Sequence, residues 1–139
     1  MIILDTNVFS EMLRPAPDGN VSAWMARQPA SQLFTTCITE AEIRYGIARM
    51  PEGQKRSRLA AAVDGIFGID LAGRVLPFDS DAARAYAGIV SRRERAGRPI
   101  SQFDAQIAAI ARAHGAEIAT RNTLDFKDCD VGLIDPWKV

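Results

Sequence analysis

The sequence predicts an α/β fold in which helices flank a mainly parallel central sheet of four to five strands. Short apolar and β-branched runs alternate with helical repeats along the whole chain, which is typical of a layered α/β domain. The first run is apolar at every position, as expected for a strand that is buried on both faces of a parallel sheet. The 139 residues, 47% of them hydrophobic, fit one domain that spans residues 1–139.

The N-terminal half is predicted to contain two strands and four helices. Apolar and β-branched runs mark the strands, and apolar residues at three- and four-residue spacing mark the helices. Prolines and glycines at residues 15–19 and 51–53 separate consecutive helices. In chain order we expect a strand at 1–4, helices at 8–13 and 20–27, a strand at 33–38, and helices at 39–50 and 52–68.

The C-terminal half repeats this alternation. A short strand is predicted at 74–78, and Asp79 or Ser80 caps a long helix that ends in a basic run at 92–95. A second helix is predicted from Ser101 to Gly115, because glycine commonly ends helices. The fourth and fifth strands are predicted at 117–120 and 131–134.

The composition excludes several classes of function. Seventeen basic residues balance seventeen acidic ones, so any contact with a polyanion depends on local patches or on bound cations. Two isolated cysteines and one histidine exclude a disulfide framework, a cysteine-rich zinc site and a two-histidine ribonuclease. No apolar run is long enough to span a membrane and no signal peptide is recognisable, so we expect a cytoplasmic protein with no membrane partner.

Three acidic residues lie at positions that can reach the carboxyl edge of a parallel sheet, where ligands bind. Asp5 ends the first strand, and Glu42 and Asp104 lie in the first turns of two predicted helices. If these positions meet at the carboxyl edge of the sheet, the carboxylates repel one another unless a cation lies between them. Hard oxygen ligands favour Mg²⁺ or Mn²⁺, so the pattern predicts a divalent metal site with a catalytic role.

Each acid also has a purely structural interpretation. Asp5 is a suitable cap for the first helix. Glu42 follows Thr39 at the spacing of a capping box, and Asp104 follows Ser101 at the same spacing. Helix capping therefore explains each residue taken singly, and only convergence of all three indicates chemistry.

Further polar residues follow the first and fourth strands. Asn122 or Asp125 is expected to supply a fourth position of the site, with an Asx turn and a short helix cap as the alternatives. Thr6, Asn7 and Thr120 are expected to orient a bound water or the ligands, with a simple turn role as the alternative.

Four segments together resemble the motifs of PIN-domain ribonucleases. They cover the chain in the order expected of that family, and no single one is specific by itself. The closing Asp135-Pro136-Trp137 is similar to the FitB-like branch of VapC toxins. The four segments are Ile2–Val8 (IILDTNV), Thr39–Gly46 (TEAEIRYG), Asp104–Ala109 (DAQIAA) and Thr120–Phe126 (TRNTLDF).

The resemblance implies a PIN-like three-layer fold and a metal-dependent endoribonuclease, the toxin of a type II toxin–antitoxin pair. It implies an RNA substrate, a cognate VapB-like antitoxin, a homodimer, and a larger assembly that binds DNA through the antitoxin. Hydrolysis would use Mg²⁺ or Mn²⁺ held by Asp5, Glu42 and Asp104, and would leave a 5′-phosphate and a 3′-hydroxyl. Asn122 stands where many relatives carry an acid, so one metal is expected rather than two.

Substrate binding is expected to depend on local basic residues. Arg44, Arg92 and Arg93 are the candidates, and a solvated helix face is the alternative for the run at 92–98. Two rival functions remain open from the sequence. One is a phosphatase with Asp5 as nucleophile, for which a second acid and a phosphate-binding lysine are missing. The other is a PIN-fold binding module with a weak or inactive site.

Overall fold

A computed structural model describes residues Met1–Val139, and its five strands form one all-parallel sheet in the order β3-β2-β1-β4-β5. The α/β class and the mainly parallel sheet are thus confirmed. The first strand lies at the centre, where Ile3 pairs with Phe34 on one side and Ile118 on the other. The strands are β1 (Ile2–Leu4), β2 (Leu33–Thr36), β3 (Val75–Leu76), β4 (Glu117–Ala119) and β5 (Leu133–Ile134).

Six helices surround this sheet. None of them combines the length and the apolar character that a membrane-spanning segment needs. The last helix ends at Gly115, whose positive φ of 62° is readily adopted by glycine. The helices are α1 (Thr6–Met12), α2 (Gly19–Arg27), α3 (Cys37–Ala48), α4 (Gln54–Gly65), α5 (Ser80–Arg95) and α6 (Gln102–His114).

Alternation of side chains along the central strands produces the layers. Ile3 and Ile118 face α5 and α6, within a core that contains the fully buried run Ile107–Ala111. Ile2 and Leu4 point to the opposite face, where they pack with residues of α1 and α2. A central sheet covered on both faces accounts for the continuous apolarity of the first strand.

The second strand ends two residues earlier than predicted. Thr36 is its last residue and also caps α3, because the Thr36 hydroxyl accepts a hydrogen bond from the Thr39 amide at 3.1 Å. The helix consequently begins at Cys37 rather than at Thr39. Thr39 is therefore not the cap of this helix, which changes the role of Glu42.

The helix predicted at 52–68 is shorter and ends differently. It covers Gln54–Gly65 and continues as one wide turn at Ile66–Asp70. That turn places Phe67 on Phe9 of α1, with ring centroids 4.8 Å apart and nearly parallel planes. The packing of these two aromatic rings therefore joins the α3–α4 region to α1.

Candidate active site

Asp5 lies at the carboxyl end of the central strand and is almost completely buried, with 5% of its surface exposed. It caps α1, which begins two residues earlier than predicted, by accepting a hydrogen bond from the Thr6 amide at 2.8 Å. Its other carboxylate oxygen accepts from the Thr120 hydroxyl at 2.8 Å and from the Asn7 amide group at 3.3 Å. Thr120 and Asn7 thus fix the orientation of Asp5.

Glu42 faces Asp5 rather than the start of its own helix. Because Thr36 is the cap of α3, the predicted capping box between Thr39 and Glu42 does not form. Glu42 instead accepts a hydrogen bond from the Thr6 hydroxyl at 2.8 Å. The Thr6 hydroxyl has one proton, so Thr39, whose hydroxyl lies 3.0 Å away, is the donor to Thr6. A chain of two hydroxyls therefore orients Glu42.

A polar cleft of about 500 Å³ joins these residues to the remaining predicted acids. In the first turn of α6, Asp104 donates its amide to the Ser101 hydroxyl at 3.2 Å, so Ser101 caps this helix as expected. Asn122 makes no side-chain capping bond, which leaves its amide group available to the cleft. Five carboxylates line the cleft: Asp5, Glu11, Glu42, Asp104 and Asp125.

Burial and like charges change the acidity of the central carboxyl groups. The pKa of Asp5 is raised to about 6, chiefly by burial and in smaller part by the negative charges of Asp104 and Glu42, against the lowering effect of the bonds from Thr120 and Thr6. Burial also raises the pKa of Asp104, with a contribution from Asp125. Buried carboxyl groups whose pKa is raised by burial and by neighbouring negative charges are the electrostatic pattern expected of a functional site.

The raised pKa of Asp5 predicts a loss of metal-free stability as pH rises. The folded protein holds the Asp5 proton more tightly than the unfolded chain, so this contribution is complete below about pH 4 and is lost as pH rises through about 6. From the two pKa values the loss is about 3 kcal/mol. Urea unfolding in EDTA should show the stability of the wild type, relative to Asp5→Asn, falling across this range. A pH-independent difference would contradict the assignment.

The donor set of the cleft fits a hard divalent cation. Carboxylate and amide oxygens are the ligands that Mg²⁺ and Mn²⁺ prefer, and the cleft offers them from Asp5, Glu42, Asp104, Asp125 and Asn122. No three acidic, histidine or cysteine side chains stand in an arrangement that would by itself hold a metal. Asp5 and Glu42 are instead bonded to neighbouring hydroxyl and amide groups.

The arginines predicted to bind substrate lie outside the cleft. Arg93 is buried, with 5% of its surface exposed, and its guanidinium donates to the backbone carbonyls of Arg98, Asp125 and Lys127. That prediction is corrected for Arg93, since its guanidinium is enclosed by the protein. Arg44 is paired with Glu40 and Asp64 on α3 and α4, and Arg92 lies with Arg84 and Arg112 on another surface.

The structure adds cleft residues that the sequence analysis missed. Helical spacing would have indicated part of this set, because positions three, four and seven residues after Asn7 lie on the same face of the chain around α1. No lysine lines the cleft, so the phosphate-binding lysine expected of an aspartate phosphatase is missing from it. The additional residues are Ser10, Glu11, Arg14, Arg121 and Trp137.

Comparison with known proteins agrees with this fold. The PIN domain family matches residues 2–131. The chain is 44% identical over 138 residues to VapC ribonuclease Y4jK of Sinorhizobium fredii, and 40% identical over 137 residues to toxin FitB of Neisseria gonorrhoeae, with 99% of each chain covered in both cases. A chain of the FitAB complex bound to an IR36 DNA fragment superimposes with a TM-score of 0.95 at 40% identity, covering 100% of this chain and 97% of that one.

The family match over residues 2–131 and the superposition of the α/β fold show that the chain belongs to the PIN-domain family. Within that family it belongs with the VapC-type toxins, the group that includes FitB. The resemblance deduced from the four sequence motifs is therefore confirmed.

Proposed function

We propose that the protein is a divalent-metal-dependent endoribonuclease and the toxin of a type II toxin–antitoxin pair. The observation that carries this proposal is the gathering of Asp5, Glu42, Asp104 and Asp125 around one cleft, with Asp5 buried at its base. Relatives of this chain over nearly its whole length are named ribonucleases, among them VapC ribonuclease Y4jK. The acidic cleft would repel an RNA backbone unless a cation neutralised it.

Asp5, Glu42 and Asp104 would hold the cation, Mg²⁺ or Mn²⁺, directly or through water. Asn122 or Asp125 would add a further oxygen. Thr120 and Asn7 position Asp5, and Thr6 positions Glu42. These hydroxyl and amide groups act on the ligands in the way that outer partners orient the ligands of other metal sites.

The reaction is the hydrolysis of an RNA phosphodiester. A cation held by these residues would supply positive charge for the phosphoryl oxygens and would lower the pKa of bound water. The protein's carboxylates would hold that charge in the cleft, and water attacks the phosphorus of the scissile phosphate in line with the departing 3′ oxygen. The P–O3′ bond breaks, the 3′ oxygen takes a proton, and the products carry a 5′-phosphate and a 3′-hydroxyl.

The partner of this toxin is a small antitoxin protein, and the toxin itself is a homodimer. Support for the antitoxin partner comes from the solved relatives, which include the FitAB complex on DNA and FitAcB from Neisseria gonorrhoeae, at 40% and 39% identity. The toxin and antitoxin form a larger assembly, which binds DNA through the antitoxin; the FitAB complex bound to a DNA fragment supports such an assembly.

Removal of the metal tests the proposed activity. Purified protein should cleave total RNA in Mg²⁺ or Mn²⁺, lose the activity in EDTA, and regain it when Mn²⁺ is added in excess. Two glutamates near the start of α3 provide matched variants, because Glu42 lines the cleft and Glu40 pairs with Arg44 outside it. Glu42→Gln should lower cleavage by on the order of 100-fold, and Glu40→Gln should leave it unchanged.

Two outcomes would contradict this proposal. Cleavage that persists in EDTA would exclude the metal. A protein that cleaves no RNA in any divalent cation, while its fold is intact, would favour a PIN-fold binding module instead.

A further inference from the structure

Two arginines line the acidic cleft, and they are its only basic residues. Arg14 follows α1 and Arg121 follows β4, so they approach the cleft from two different elements. Together with the five carboxylates they leave the cleft acidic. A polyanionic substrate therefore needs these two cations in addition to any metal ion.

Arg14 is held in place by a buried carboxylate while most of its side chain stays in solvent. Its Nη1 donates to both carboxylate oxygens of Glu11, at 3.2 and 3.0 Å. Glu11 is buried and also accepts the backbone amide of Asp18 at 2.9 Å. The Arg14 side chain is nevertheless 64% exposed, and its Nε and Nη2 make no bond within the protein. A guanidinium carries five N–H donors, so the outward-facing donors are free for a ligand.

Arg121 is held by stacking rather than by an acid. Its backbone amide donates to Asn7 at 3.2 Å, and its guanidinium lies 5.1 Å from the centre of the Trp137 ring. Trp137 is itself fixed, because its backbone carbonyl accepts from Asn20 and its amide donates to Asp135. Arg121 forms no salt bridge, so its whole hydrogen-bonding edge is available. An arginine oriented by an aromatic ring keeps its charge and its planar fork for phosphate.

We propose that Arg14 and Arg121 bind the RNA phosphates that flank the scissile bond, and that Glu11 and Trp137 position them for this contact. This inference rests on the proposed function and identifies the residues that hold its substrate. Planar guanidinium groups bind phosphate oxygens in pairs of hydrogen bonds. Two such groups at the mouth of one cleft hold the strand so that the phosphate between them lies over Asp5, Glu42 and Asp104.

The salt dependence of RNA binding tests this assignment. Binding of fluorescently labelled bulk transfer RNA is measured at a fixed Mg²⁺ concentration on the Asp5→Asn background, which is expected to abolish cleavage while the cation offsets the remaining carboxylates. Arg14→Met and Arg121→Met should each weaken binding by about 10-fold. Each should also lower the slope of log affinity against log salt by about 0.7 to 0.9, the value of one lost phosphate contact. Arg14→Lys should restore the slope, because it keeps the charge.

Arg84→Met is the matched control. Arg84 is an exposed helix arginine paired with Asp81 at the same three-residue spacing as Arg14 and Glu11, but it lies outside the cleft. Affinity and slope should be unchanged in this variant. In the protein that retains Asp5, Arg14→Met and Arg121→Met should lower kcat/KM for RNA, mainly because KM rises.

The possible results separate this inference from the proposed function. In one result, the wild type cleaves RNA in Mn²⁺ while Arg14→Met and Arg121→Met leave the slope of log affinity against log salt unchanged. In that case the arginine assignment is wrong and the proposed nuclease activity is retained. If Arg84→Met lowers the slope as much as they do, the contact is not specific to the cleft and the assignment is also wrong. A wild type that neither binds nor cleaves RNA would overturn both.

Discussion

Asp5→Asn should abolish RNA cleavage while leaving the fold intact. Asparagine caps helices as well as aspartate does, so α1 keeps its first hydrogen bond, from the Thr6 amide. The variant loses the negative charge at the base of the cleft, where the cation is proposed to bind. Loss of a residue that merely supports a metal ligand costs 10- to 100-fold in other proteins, so loss of this ligand should cost on the order of 100-fold or more.

A second capping aspartate provides the control for Asp5. Asp79 caps α5 by accepting the amide of Ala82 at 3.0 Å, and it is exposed away from the cleft. Asp79→Asn should cleave RNA at the wild-type rate. The measurement is the cleavage rate of total RNA in Mn²⁺, with circular dichroism to verify folding. If Asp5→Asn cleaves RNA as Asp79→Asn does, Asp5 serves only as a helix cap.

Arg93→Met should cause the largest loss of stability of any change proposed for this chain. Arg93 joins the end of α5 to residues 125–130 through the backbone carbonyls of Asp125 and Lys127, at 2.8 and 2.9 Å, and it also donates to the Arg98 carbonyl at 2.6 Å. That segment contains Asp128 and Asp130, both with positive φ. Without the guanidinium, the carbonyls of Arg98 and Asp125 have no other donor, and the Lys127 carbonyl keeps only the weak donor of the Cys129 thiol at 3.8 Å. Leaving buried polar groups unpaired predicts a loss of about 3–5 kcal/mol, which corresponds to a fall in Tm of about 10 °C or more.

Arg95→Met is the control for this prediction. Arg95 lies two residues further along α5, is exposed and forms no salt bridge, so its replacement should change stability by less than about 0.5 kcal/mol. Urea unfolding of both variants against the wild type gives the comparison. Equal unfolding midpoints for Arg93→Met and Arg95→Met would show that Arg93 is a surface residue, as the sequence analysis assumed.

Local patterns were sufficient to predict the layers of the fold. The apolar run before Asp5 predicts a strand buried on both faces, and the alternation of strands and helices predicts a parallel sheet. Parallel strands bring their carboxyl ends to one edge. The position of Asp5, directly after the first strand, therefore follows from the sequence. The lining of one cleft by Glu42, Asp104 and Asp125 agrees with the same argument.

The orientation of individual side chains depended on contacts between distant segments. Thr39 and Glu42 have the spacing of a capping box, but cap selection by Thr36 moved the helix start by two residues and left Glu42 free to meet Thr6, 36 residues away in the chain. A spacing cannot distinguish these outcomes, because both satisfy the same local hydrogen-bonding needs.

The arginines also show the difference between what local sequence patterns predict and what tertiary contacts decide. The sequence marks a basic run around Arg93, and tertiary packing buries that residue against backbone carbonyls because α5 ends beside residues 125–130. No sequence pattern marked Arg14 or Arg121 as a substrate-binding residue, and the fold brings both of them to the cleft. The sequence by itself determined the sheet, its acidic edge and the family. The tertiary structure decided which charges face the cleft, since burial and pairing depend on residues that are far apart along the chain.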